Sequence, residues 1–314
     1  MERTMQGHPR DGSGPVGVAQ VLQAVRTYMS TRFLIVSQGG TVFSAFVCCY
    51  LLYGQAHGDQ VFGWPTIVGG ISAVLLALVR RLIDDVEDLR NDVLIGRIKS
   101  DDGGRRHLRG LILGAVTVTA VVGALNATCS LLLLAVSVGI AVWFAIATLL
   151  KHTPPAQSSQ AVFYAVNETC PIAGLLYPYA VWHEVAGASL PTMAVVSTVG
   201  LFWTVWEFWM FTRKVGVEGW PPWFLSMNKT RAALIFFLSL AAVFSVLVGH
   251  FADLALVYSI YGVGLSVVFV TIILRWWSQL PAQEPHRVKG AWGGVNFAVG
   301  VEAGVLIGIL LASL

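Results

Sequence analysis

Apolar stretches near the roughly 20 residues a helix needs to cross a bilayer recur along the chain. Nine are legible, at about 32–53, 65–83, 107–125, 130–150, 160–182, 190–212, 229–249, 253–274 and 292–313. They run continuously and exceed the alternating, roughly ten-residue strands of a membrane barrel. Small pairs such as Gly69–Gly70 and Gly293–Gly294 are what closely packed membrane helices use. The expected fold is therefore all-α, a nine-helix transmembrane bundle over residues 25–314 preceded by a disordered cytoplasmic tail at 1–24.

Charge placement supports that reading. All 20 Lys and Arg residues fall before span 1 or in the segments after spans 2, 4, 6 and 8, counting span ends, and the alternate segments hold none. Basic residues collect in cytoplasmic loops, so the N-terminus is expected inside and the C-terminus on the opposite side. Only 12% of the 314 residues are charged against 56% hydrophobic, about half the charge of a soluble domain. Soluble enzymes, disordered chains and disulfide scaffolds are excluded. The net charge of +3 reflects topology rather than a nucleic-acid partner. Cys48, Cys49, Cys129 and Cys170 show no CxxC spacing and read as small buried hydrophobes.

The stretch most informative about chemistry closes span 2, from Arg80 to Asp92. If the helix continues, then at about 100° per residue Asp88, Arg81, Asp92 and Asp85 fall about 40°, 60°, 80° and 100° from Asp84. Four carboxylates share a quarter of the helix surface with one guanidinium. Like charges one turn apart repel, more strongly where the dielectric falls, so a positive partner is expected. Hard carboxylate oxygens suit Mg²⁺, which is commonly held by one or two carboxylates plus phosphate oxygens. The cluster reads as a platform for a Mg²⁺–diphosphate.

Asp84-Asp85-x-x-Asp88-x-x-x-Asp92 after the second of nine spans resembles the first motif, (N/D)DxxDxxxD, of the UbiA superfamily of intramembrane prenyltransferases. The fuller form Arg81-x-x-Asp84-Asp85-x-Glu87-Asp88-x-x-x-Asp92 is similar to a divergent branch carrying RxxDExKDxxxD. Weaker echoes are Tyr164 to Ile172 in span 5 and Arg213-Lys214 closing span 6. The resemblance implies two Mg²⁺ ions, a prenyl diphosphate and a second acidic motif between helices 6 and 7. Here the usual DxxxD is absent, as is the HPxRPLxxG-like stretch, of which Arg97 is the faint trace. Met210 stands where the branch has its Glu.

Glu207, Phe211, Lys214 and Glu218 fall on one helical face beside Trp203. Glu207 lies about 10 Å inside Lys214, at a depth where an acid needs a partner or a wet cavity. A metal-ligand role and a helix-to-helix ion pair carry comparable weight for it. The expected metal set is Asp84, Asp85, Asp88, Asp92, Glu207 and Glu218. Arg81, Arg97, Lys151, Arg213 and Lys214 are the candidates for holding diphosphate, since guanidinium forks and ammonium charges both bind phosphate.

Tyr164, Asn167 and Glu168 in span 5, with Trp203, Trp206 and Phe211 in span 6, are the candidate cavity residues. Polar groups at that depth are functional candidates or helix clips, and aromatic faces stabilise cations. Glu302 in span 9 stands without a motif and reads as a packing residue.

The chemistry that fits is metal-assisted ionisation of an allylic diphosphate in a water-free cavity. Prenyl transfer to an aromatic or quinone-type acceptor stands slightly ahead of cyclisation, as in UbiA-type terpene cyclases. A secondary transporter ranks far lower, because its charges belong at the midplane around broken helices.

Overall fold

In the computed structural model, described here over residues 39–94, 102–214, 227–254 and 286–313, all regular structure among the described residues is helical. In chain order the helices are α1 (Gly40–His57), α2 (Trp64–Leu94), α3 (Asp102–Ala127), α4 (Leu131–Lys151), the one-turn α5 (Pro154–Ser158), α6 (Gln160–Ala186), α7 (Thr192–Lys214), α8 (Met227–Phe251) and α9 (His286–Ala312). Eight of the nine expected spans coincide with long helices; the stretch expected at 253–274 falls almost wholly outside the described residues.

Local chemistry sets several boundaries. Gly58 takes the left-handed conformation, φ 88°, and its N–H closes α1 on the carbonyl of Gln55, a conformation glycine adopts without a Cβ clash. Ser130 caps α4 by accepting from the N–H of Leu133 at 3.1 Å, which satisfies one of the orphan amides of a helix start. Pro171 and Pro178 both lie inside α6. Such breaks are tolerated where neighbouring helices surround the freed backbone groups, and α6 packs against α1, α2, α4 and α7.

Packing follows chain order around the bundle: α2 against α3, α3 against α4, α4 against α6, α6 against α7 and α7 against α8. Helix α9 then returns to lie against both α7 and α1. Gly69 makes the α1–α2–α6 junction possible. A Cβ there would sit 2.8 Å from Val181 Cγ2 and 2.9 Å from Phe46 Cζ.

Two polar clips pin the helices further. Asn126 of α3 donates to Ser72 of α2 at 2.9 Å and accepts from the Tyr177 hydroxyl of α6 at 2.6 Å. Ser44 of α1 donates to the Glu302 carboxylate of α9 at 2.7 Å, so the packing role expected of Glu302 has a partner.

The outside of the bundle is apolar. Leu131 is 82% exposed and Leu149 64%, with Leu113, Val116 and Phe236 exposed in the same way. The segments Trp64–Glu87, Leu108–Ala127 and Leu131–Lys151 are each long and apolar enough to cross a membrane. Shorter apolar helices occur at Thr192–Phe208, Ile235–Phe251 and Ala298–Ala312. Helices apolar on their outer faces need lipid as solvent. The protein is an integral membrane protein.

Candidate active site at the basic end of the bundle

Helix α2 does not stop where its apolar run stops. It continues unbroken through Asp84 and Asp85 to Leu94, as the stacked-carboxylate reading required. Asp84 and Asp85 are compensated within the helix. Arg80 Nη1 lies 2.9 Å from Asp84 Oδ1, and Arg81 Nη2 lies 2.8 Å from Asp85 Oδ1, both one turn apart. Asp85 is buried, whereas Asp84 keeps a third of its side chain exposed.

Helix α4 ends beside this cluster. Arg80 also donates to the Thr148 hydroxyl at 3.3 Å. Lys151 Nζ donates to Glu87 Oε2 at 2.9 Å, and His152 Nε2 lies 3.4 Å from the other oxygen, Glu87 Oε1. The Lys151 ammonium also sits 5.9 Å from the ring centroid of Phe163 on α6, within the range of a cation–π contact. Asp84 lies in electrostatic reach of Lys151 and Glu87 as well as of both arginines. Two helices, α2 and α4, thus bring cations and anions together at one end, with the Phe163 ring of α6 beside them.

A second polar layer lies deeper, between α6 and α7. The Glu168 carboxylate accepts from Asn167 Nδ2 at 3.1 Å and from Trp203 Nε1 at 3.0 Å. Tyr164 is in electrostatic reach of both Glu168 and Glu207, and Glu207 is 6% exposed. Trp143 of α4 donates to Thr169 of α6 at 3.0 Å. Cys170 is in electrostatic reach of Arg80, Lys151 and Asp84 and also of Glu168, which links the two layers. The Trp203 ring meets Phe237 of α8 edge-on at 5.9 Å, and Trp206 is half-buried one turn further along α7.

Of the residues singled out in the sequence, the structure brings together Arg81, Asp84, Asp85 and Lys151 in the outer layer, and Tyr164, Asn167, Glu168, Trp203 and Glu207 in the inner one. The backbones of Asp88 and Asp92 continue α2, and those of Phe211, Arg213 and Lys214 continue α7, but their side chains lie outside the described residues. Arg97 and Glu218 lie outside them altogether. Among the described residues no group of three or more His, Cys, Asp or Glu side chains is arranged to hold a metal ion.

Sequence reasoning assigned no role to Arg80, Glu87, Thr148 or His152. Arg80 falls about 40° outside the acidic arc that contained Arg81, yet it stands one turn before Asp84 and pairs with it. Glu87 and Lys151 are 64 positions apart, and nothing local announces their pairing.

No family model matches the chain, and no curated protein matches it. Solved structures do. A digeranylgeranylglyceryl phosphate synthase is similar at a TM-score of 0.54 and 12% identity, covering 92% of this chain and 99% of its own. A UbiA homolog from Archaeoglobus fulgidus bound to DMAPP and Mg²⁺ is similar at 0.52 and 15% identity, covering 85% and 97%. The same homolog bound to GPP and Mg²⁺ is similar at 0.51, with the same identity and coverage. The helical order, the paired acidic and basic ends of α2 and α4, and these full-length matches agree: the protein has the fold of the UbiA homologues.

Proposed function

We propose that the protein belongs functionally with the UbiA prenyltransferases: a Mg²⁺-dependent intramembrane enzyme that ionises an allylic prenyl diphosphate at its cytoplasmic rim and transfers the prenyl group to an acceptor. The observation that carries the reading is the layered site. Charged residues of α2 and α4 gather at one end of apolar helices, and a buried polar and aromatic layer on α6 and α7 lies next to them. Solved proteins of this fold include one bound to DMAPP or GPP with Mg²⁺.

The residues present fit a magnesium ion by donor chemistry. Asp84 uses Oδ1 for Arg80 and remains partly exposed, which leaves Oδ2 for a hard cation. Asp85 is held in place by Arg81. Asp88 and Asp92 would extend this donor set, and Glu207 and Glu218 would supply a second one. When bound, Mg²⁺ supplies positive charge that stabilises the departing diphosphate.

The chain's own groups do the rest. Arg81 and Lys151, with Arg97, Arg213 and Lys214, would donate hydrogen bonds to the phosphate oxygens. The allylic C–O bond breaks heterolytically and its electron pair leaves with the diphosphate. The allylic carbon then bonds to an aromatic or quinone-type acceptor, which loses a proton. The apolar helices and lipid exclude the water that would otherwise quench the cation. Trp203, fixed by Glu168, and its neighbours Tyr164, Asn167, Trp206 and Phe211 would shape the chamber for the prenyl tail.

That fixed Trp203 ring, braced by Phe237, also favours a second reading. A rigid aromatic face stabilises a cation whose own alkene then attacks it, which makes the protein a UbiA-type terpene cyclase. Both are tested by incubating purified protein with Mg²⁺ and each prenyl diphosphate, first without and then with aromatic acceptors. Diphosphate release only with an acceptor establishes transfer, and hydrocarbon products without one establish cyclisation. No release under any condition overturns both.

A further inference from the structure

Lys151 is the last residue of α4 and is only 5% exposed. A buried ammonium needs a counter-charge, and Glu87 on α2 provides it. Glu87 does so with one oxygen while its other oxygen faces His152, so a single carboxylate straps the last residue of α4 and the residue that caps it to α2. Among the described residues, Glu87 is the one hydrogen-bond acceptor that the Lys151 ammonium reaches. An ammonium carries three donors, so two of its N–H groups meet no acceptor among the described residues, and its charge reaches Asp84.

We propose that Glu87 is a positioning residue: it holds the Lys151 ammonium at the rim so that its remaining N–H groups meet the diphosphate of the substrate. The inference rests on the enzymatic reading above, but its geometric half stands apart from it. Glu87 interposes a fixed anion between Lys151 and His152 and keeps Lys151 from swinging into solvent or pairing with Asp84. Its carboxylate is consumed by α4, which separates it in role from the neighbouring Asp84 and Asp85.

The test has two readouts on the full-length protein in detergent. The first is labelling of Lys151 by an amine-reactive ester, followed by peptide mass spectrometry. Lys151 is expected to be protected in the wild type and to label about ten-fold faster in Glu87→Gln, a change within the usual coupling of contacting residues. The second is a double-mutant cycle on the prenyl diphosphate. Glu87→Gln and Lys151→Met are each expected to raise KM about ten-fold with kcat within about two-fold, and the double variant to be no worse than either single.

Unchanged labelling, or KM losses that multiply in the double variant, overturns the positioning role. Faster labelling together with a wild type that releases no diphosphate overturns the enzymatic reading and leaves the α2–α4 strap standing without its ligand. If Glu87→Gln does not fold, Glu87→Asp, which keeps the charge but retracts it by one methylene, is read in the same two ways.

Discussion

The indole of Trp203 donates to the carboxylate of Glu168 at 3.0 Å, so an acid from α6 fixes the orientation of an aromatic ring on α7. The same carboxylate takes a second donor from Asn167. Removing it leaves both donors half-buried without an acceptor. Glu168→Ala is expected to destabilise the protein by about 1–3 kcal/mol. Trp203→Phe keeps the ring but loses one bond, at about 1 kcal/mol. Thermal unfolding in detergent, followed by size-exclusion recovery, checks the order of the two.

Asp85 is buried beside Arg81, and Asn at this position preserves shape while deleting charge. Asp85→Asn is expected to lower diphosphate release by about a hundred-fold or more, in line with losing an electrostatic group at a developing charge. The protein should still elute as a folded species. Asp88→Asn is expected to behave in the same way. Near-normal rates in both would count strongly against a metal-diphosphate role for this end of α2.

Magnesium dependence gives a direct check. Chelation with EDTA is expected to stop diphosphate release, and excess Mg²⁺ to restore it, because hard carboxylate oxygens and phosphate form the natural shell for that ion. Retained turnover in the chelator would mean that the acids of α2 serve the fold alone.

The clip through Asn126 joins α2, α3 and α6 away from the charged end. Asn126→Leu removes the partner of both the Ser72 and the Tyr177 hydroxyls. A loss of about 1–2 kcal/mol is expected, the upper range for interhelical hydrogen bonds in membranes. Detergent melting curves read it directly.

At Gly69 the methyl of alanine would press on Val181 and Phe46 at 2.8–2.9 Å. Gly69→Ala is expected to cost about 1–3 kcal/mol through overpacking. A melting temperature equal to that of the wild type would show that α1 and α6 can yield there.

Much of this architecture was legible in the sequence, since lipid imposes two strong constraints: runs must be long, and basic residues must stay on one side. The continuation of α2 through Asp85 entered as a premise, and given it helical spacing sets Arg81 one turn from Asp85, where the two pair. The Glu87–Lys151 pair was not, because contacts between distant positions depend on which helices become neighbours. Asn126 offered a signal that went unused, as a lone amide in an apolar run implies a partner on another helix. Glu302 raised the same expectation, but Ser44 could be assigned only once α9 was seen against α1.

The return of α9 onto α1 and α7 has a temporal side. Every other described helix precedes it along the chain, so among the described helices the seam between α1 and α7 receives its last partner at the end of synthesis. Enclosure is completed late, and Ser44 waits for Glu302 across the whole time of translation. An interruption of synthesis before that point leaves α1 and α7 without the helix that packs on both.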